Sequence, residues 1–148
     1  MKRFSPEVVS ALNQAIDKLK NDTGSPNVEL VGYSGGGGLA ILVAARRNDV
    51  VSIRTVAANL DHKALCDYHH VSPLTGSLNP IDYAQIIKTL PQQHFVGAED
   101  KTVPIFIARS FIECEGDESY ERITVVKNTS HTKGWRKHWQ HLLGVPLQ

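Results

Sequence analysis

Ser34, Asp100 and His131 are the residues of this 148-residue chain whose types could together open an acyl bond, if the fold brings them to one place. A serine hydroxyl is a weak nucleophile until a base takes its proton. Imidazole suits that task at neutral pH, and a carboxylate behind it fixes the tautomer and stabilises the imidazolium. Ser34 stands in Gly32-Tyr33-Ser34-Gly35-Gly36, a Gly-x-Ser-x-Gly pattern. A short apolar run, Val28 to Val31, precedes it, and an Ala/Leu/Ile/Val segment of helical length follows. Strand, sharp turn and helix in that order lift one hydroxyl above a sheet. Glycine at 32 and 36 would remove Cβ atoms that clash as strand and helix close together. The helix start would offer backbone N–H groups, that of Gly35 first, to a developing oxyanion. Tyr33, beside the serine, is a second candidate for touching oxyanion or substrate.

Other chemistries fit these residues poorly. A phosphate-cradling Walker loop needs Lys followed by Ser or Thr at the helix start, where this chain has Leu39-Ala40. A dinucleotide fingerprint needs glycine where Ser34 stands, and an acidic residue ending the next strand. His62, His69 and His70 lie near Asp61, Cys66 and Asp67, but their spacing matches no metal site, so no metal or other cofactor is expected. A net charge of +1 gives no electrostatic footprint for nucleic acid or an anionic membrane. The two cysteines, Cys66 and Cys114, form no disulfide framework.

The elements that must position the candidate residues alternate along the chain. Ser5-Pro6-Glu7 opens a helix whose apolar face carries Val8, Leu12, Ala15 and Leu19. The serine turn and a helix to about Arg47 follow the first strand, and the β-branched run Val51 to Ala57 reads as a second. Residues Asn59 to Asn79 read as an irregular, mobile pocket wall, with His62 or Tyr68 near the serine. Asn79-Pro80 then starts a helix that Pro91 stops. His94 to Gly97 is a third strand and Arg122 to Val126 a fourth, with a helix opened by Pro104 between them. Trp135 and Trp139 belong to the core side of a closing helix, and His138 and His141 to its surface. The whole chain, residues 1–148, therefore reads as a single α/β domain. Its sheet is mostly parallel, with about four strands and helices on both faces. Ser34, Asp100 and His131 each follow a strand, at the end where open parallel sheets bind ligands.

Gly32-Tyr33-Ser34-Gly35-Gly36, then Gly97-Ala98-Glu99-Asp100-Lys101-Thr102-Val103-Pro104, then Ser130-His131 resemble the C-terminal half of an α/β-hydrolase. The resemblance implies hydrolysis of an ester, amide or thioester of a small acyl substrate through an acyl-enzyme. It makes Ser34 the nucleophile, His131 the base and Asp100 the acid. Asp61 is a rival acid, because some members place theirs after the preceding strand. The family fold has about eight strands, so the resemblance also implies that upstream strands are absent, with the loop that carries a second oxyanion donor. Val28 to Val31 would then be an exposed edge, suited to homodimerisation or to pairing with a polypeptide bearing the lost half. An inactive hydrolase-like fragment or assembly module is the alternative reading. No leader or membrane span is evident from Met1 onward, so a cytoplasmic location is the expectation.

Overall fold

The computed structural model describes residues 4–148; Met1, Lys2 and Arg3, on which the reading of the N-terminus began, lie outside them. The first half runs α1 (Pro6–Thr23), β1 (Val28–Tyr33), α2 (Gly35–Ala44), β2 (Val50–Val56) and α3 (His62–Tyr68). A 3₁₀ turn (Pro80–Tyr83) and the single turn α4 (Ala84–Ile87) lead into β3 (Gln92–Gly97). The chain closes with α5 (Ile105–Glu115), β4 (Ile123–Val126) and α6 (Trp135–Leu143).

All three strand pairings are parallel, in the order β1-β2-β3-β4, so β1 and β4 are the edges. Successive side chains of a strand face opposite sides, and the core divides accordingly. Ile53 and Val96 join Ile41, Ile107 and Phe111, packing α2 and α5 against one face. Val56, Phe95 and Val126 join Leu142, Trp135 and Trp139, packing α6 against the other. The two tryptophans therefore pack with core residues. Phe95 and Phe111 are completely buried, each contributing about 1.5–3 kcal/mol through burial. Helix α1 docks beside α2 through Val9, Leu42 and Val43. Arg47 clamps the same junction, with ion pairs to Asp17 at 2.8 Å and Asp49 at 2.7 Å.

The structure corrects the sequence reading in several places. Residues 59–79 are not wholly irregular: Asp61 caps α3, its Oδ1 accepting from the Ala64 N–H at 3.1 Å. The expected helix after Asn79 breaks into the 3₁₀ turn and α4. Ser5 stands at the start of α1, where its carbonyl accepts from Val8 and Val9 at 3.1 and 3.2 Å and its hydroxyl makes no capping bond. No helix among the described residues is long and apolar enough to cross a membrane.

Candidate active site

Ser34 is the one residue between the end of β1 and the start of α2. Its backbone, φ 53° and ψ −122°, lies where an L-residue is strained by about 1–3 kcal/mol. Three backbone hydrogen bonds hold it there. Its N–H donates to the Val56 carbonyl at 2.8 Å, and its carbonyl accepts from Gly37 at 3.0 Å and Asn59 at 3.2 Å. The turn is also too tight for a side chain at 32, where a Cβ would stand 2.3 Å from the Gly36 carbonyl oxygen. Gly36 itself has open space at that position, so only Gly32 of the expected pair relieves a clash.

The Ser34 Oγ lies 3.0 Å from His131 Nε2, and His131 Nδ1 lies 2.9 Å from Asp100 Oδ2. The Asp100 carboxylate is fully buried, and its second oxygen accepts from the Thr102 and Val103 N–H groups at 2.9 and 2.8 Å. These bonds satisfy a charge that would otherwise be costly to bury. With both oxygens accepting, the bond to His131 is donated from Nδ1–H, which leaves Nε2 as an acceptor facing Ser34. Such a chain of groups can take a proton from the hydroxyl and return it to a leaving group.

His131 is carried by the loop between β4 and α6, which crosses closely over the end of β3. A Cβ on Gly97 would stand 2.5 Å from the Thr129 carbonyl oxygen, and that oxygen accepts from the Glu99 N–H at 2.9 Å. The His131 carbonyl accepts from the Tyr33 hydroxyl at 2.7 Å and from Trp135 Nε1 at 2.9 Å. Burial and then the Asp100 charge raise the Tyr33 pKa, keeping the phenol protonated as a donor. Tyr33 thus holds the histidine loop through its hydroxyl.

Ser34 and Gly35 open onto a cleft of about 530 Å³, walled mainly by Phe4, Leu65, Leu74 and Val103, with Asn59 and Thr102 as further polar residues. Gly35 begins α2, where the first N–H groups have no carbonyl one turn earlier in the helix.

No protein-family profile and no curated protein sequence matches the chain. Its backbone does match solved structures. An esterase from Pyrococcus furiosus superposes with a TM-score of 0.70 at 14% identity, over 94% of this chain and 60% of its own. An acylaminoacyl peptidase from Pyrococcus horikoshii gives 0.74 at 14% identity, over 97% of this chain and 26% of its own. An alpha-beta serine hydrolase homologue from Coxiella burnetii gives 0.63 at 17% identity, over 90% and 54%. The chain has an α/β-hydrolase-like fold.

Within this α/β-hydrolase-like chain, the four parallel strands are part of a fold that the matched proteins carry on longer polypeptides. Asp61, the rival acid, makes no contact with His131. Besides capping α3, its other oxygen accepts from Ser110 Oγ at 2.9 Å. His62 is buried against the Phe4 ring, centroids 4.1 Å apart, and burial pushes its pKa down to about 4. It packs behind Phe4 and does not line the cleft. Tyr68 packs edge-on to Phe106 and does not line the cleft. Asn59, Leu65 and Leu74 are what residues 59–79 contribute to the wall. Sequence reasoning missed Phe4, and it placed Asn59 only within the expected wall of residues 59–79 without singling it out. Phe4 precedes every recognisable motif, and Asn59 looked like any polar residue after a strand.

Proposed function

We propose that the chain is a serine hydrolase acting on a carboxylic ester or a related acyl compound. The observation that carries this reading is the continuous path Ser34 Oγ–His131 Nε2, His131 Nδ1–Asp100 Oδ2, at 3.0 and 2.9 Å, built on a strained serine. The matched structures include an esterase and a serine hydrolase homologue, which supports it.

In the proposed reaction, Ser34 Oγ attacks the acyl carbonyl carbon while its proton passes to His131 Nε2. Asp100 holds the opposite nitrogen and stabilises the imidazolium. The carbonyl oxygen becomes an oxyanion at the N-terminus of α2, where the Gly35 N–H and the helix dipole oppose its charge. Collapse expels the alcohol, which takes the proton from His131 and leaves an acyl-Ser34. Water then attacks the acyl carbon, with His131 again as base, and the carboxylic acid departs as Ser34 recovers its proton.

Turnover of short p-nitrophenyl esters tests the reading. Ser34-dependent hydrolysis, reduced about 10³-fold or more in Ser34→Ala, is expected. A folded wild-type chain with no hydrolysis would favour the inactive assembly module instead, and hydrolysis unchanged in Ser34→Ala would contradict Ser34 as the nucleophile.

A further inference from the structure

The cleft holds one polar side chain that the proposed reaction does not use. Asn59 lies just beyond β2, and its backbone is fastened on several sides. Its N–H donates to the Ser34 carbonyl at 3.2 Å, and its own carbonyl crosses the first turn of α2, where a Cβ on Gly38 would come within 2.6 Å. Ala57, two residues earlier, has φ 47°, and its N–H is held by the Phe95 carbonyl at 2.8 Å. Ala58 fills the space over Gly37, where an added Cβ would stand 2.3 Å from the Ala58 Cβ. Two strained non-glycine residues, Ser34 and Ala57, thus sit at the ends of adjacent strands, and the segment between Ala57 and Asn59 is locked to both β3 and α2.

The side chain of this locked residue is uncommitted. Its buried Oδ1 has no hydrogen-bond partner. Native structures leave few buried polar atoms unpaired, because each one costs stability. Among the described residues with such an atom, Asn59 is the one that lines the cleft shared by Ser34 and Gly35. The rest of that wall is mainly carbon, from Phe4, Leu65, Leu74 and Val103.

The geometry points to Asn59 as a specificity-determining residue that reads a hydrogen-bonding group on the acyl part of the substrate. The acyl chain is apolar along its body, where it lies against Phe4, Leu65, Leu74 and Val103. It carries a hydroxyl or secondary amide where it meets Asn59. A half-turn of the carboxamide exchanges its C=O and NH₂, and a hydroxyl or amide can pair with either. Sites that leave a buried polar group unpaired discriminate against substrates lacking its partner. This inference rests on the serine-hydrolase reading for the bond that is broken, but not for binding.

The test uses two matched pairs of carboxylic acids, butyrate with 3-hydroxybutyrate and pentanoate with N-acetylglycine. Their binding to Ser34→Ala is measured by calorimetry, and turnover of their methyl esters is measured in the wild type. The polar member of at least one pair is expected to bind about fivefold or more tightly than its twin, the size of one neutral hydrogen bond. That ratio falls to about one in Ser34→Ala/Asn59→Leu and in Ser34→Ala/Asn59→Ala, the smaller residue controlling for blockage. Equal binding within both pairs, or a preference that survives both Asn59 substitutions, overturns the inference. A lost preference in the variants alongside inert methyl esters supports the subsite and contradicts the hydrolase reading instead.

Discussion

The hydroxyl of Tyr33, the residue immediately before the candidate nucleophile, donates to the carbonyl of His131 at 2.7 Å. The turn that presents Ser34 and the loop that presents its base are therefore tied together through one phenol. Trp135 Nε1 also donates to the same carbonyl, at 2.9 Å. In Tyr33→Phe, kcat is expected to fall about 3–10-fold with KM little changed, the effect of one neutral hydrogen bond on alignment. Tyr33→Phe/Trp135→Phe should lose more than either single change. An unchanged kcat in the double variant would show that the loop is held by other means.

Asp100 and Asp61 provide a contrast between two buried carboxylates. Asp100 Oδ1 is occupied by two backbone N–H groups and Oδ2 by His131. In Asp100→Asn the carbonyl oxygen keeps the backbone donors and the NH₂ faces Nδ1, which forces the wrong tautomer. A loss of about 10⁴ in kcat is expected. Asp61→Asn weakens the cap of α3 and the bond from Ser110, so it should cost about 0.5–2 kcal/mol of stability with turnover per folded molecule retained. Urea melts and ester assays on the two variants separate the roles. Collapse of kcat in folded Asp61→Asn would reverse them.

Much of this site can be read along the chain because it is local. Gly32 to Gly36 records a tight strand-to-helix turn, and the order Ser, Asp, His records three strand ends in a parallel sheet. What could not be read depends on contacts between distant segments. Gly37 and Gly38 are the glycines crowded by the passage after β2, against Ala58 and Asn59, whereas Gly36 is not crowded. Helix α3 has only seven residues, too short for apolar periodicity to show. The cleft wall combines Phe4, Leu65, Leu74 and Val103, which no single motif contains.

Stability should depend on pH through a histidine remote from the site. His94, in β3, is 1% exposed, and burial, with a smaller effect of the Arg122 charge, pushes its pKa from 6.5 down to about 3. The folded value lies below the unfolded one, so between them the unfolded chain holds the extra proton. This contribution is complete above pH 6.5 and is lost as pH falls toward 3. The expected slope is about 1.4 kcal/mol per pH unit for one such group. His62, pushed down to about 4, acts in the same direction. Urea denaturation at pH 7 and pH 5 should show the loss, and His94→Gln should reduce the proton uptake on unfolding at pH 5 by nearly one. Identical uptake in the variant would place the dependence elsewhere.

The outer edge of β1 supports a proposal about partners. β1 pairs only with β2 in the sheet, and Val31 is 53% exposed beside a groove formed with Leu12, Ile16 and Leu39. An edge with apolar side chains and unpaired backbone groups is a template for another strand. Pairing with a second copy about a two-fold axis would run antiparallel and make one continuous sheet. Sedimentation velocity at micromolar concentration should show a dimer, and Val31→Lys should shift it to monomer. A wild-type monomer across that range would argue against self-pairing.

Covalent labelling at Ser34 tests the central claim most directly. A fluorophosphonate traps a serine only where a base has activated it, whatever acyl group the cleft prefers, so the measurement does not depend on guessing a substrate. Intact-mass and peptide mapping after incubation should show a single adduct on Ser34. The adduct should be absent in Ser34→Ala and formed far more slowly in His131→Ala. A folded wild-type chain that takes up no label, or that carries it on another residue, would contradict the account.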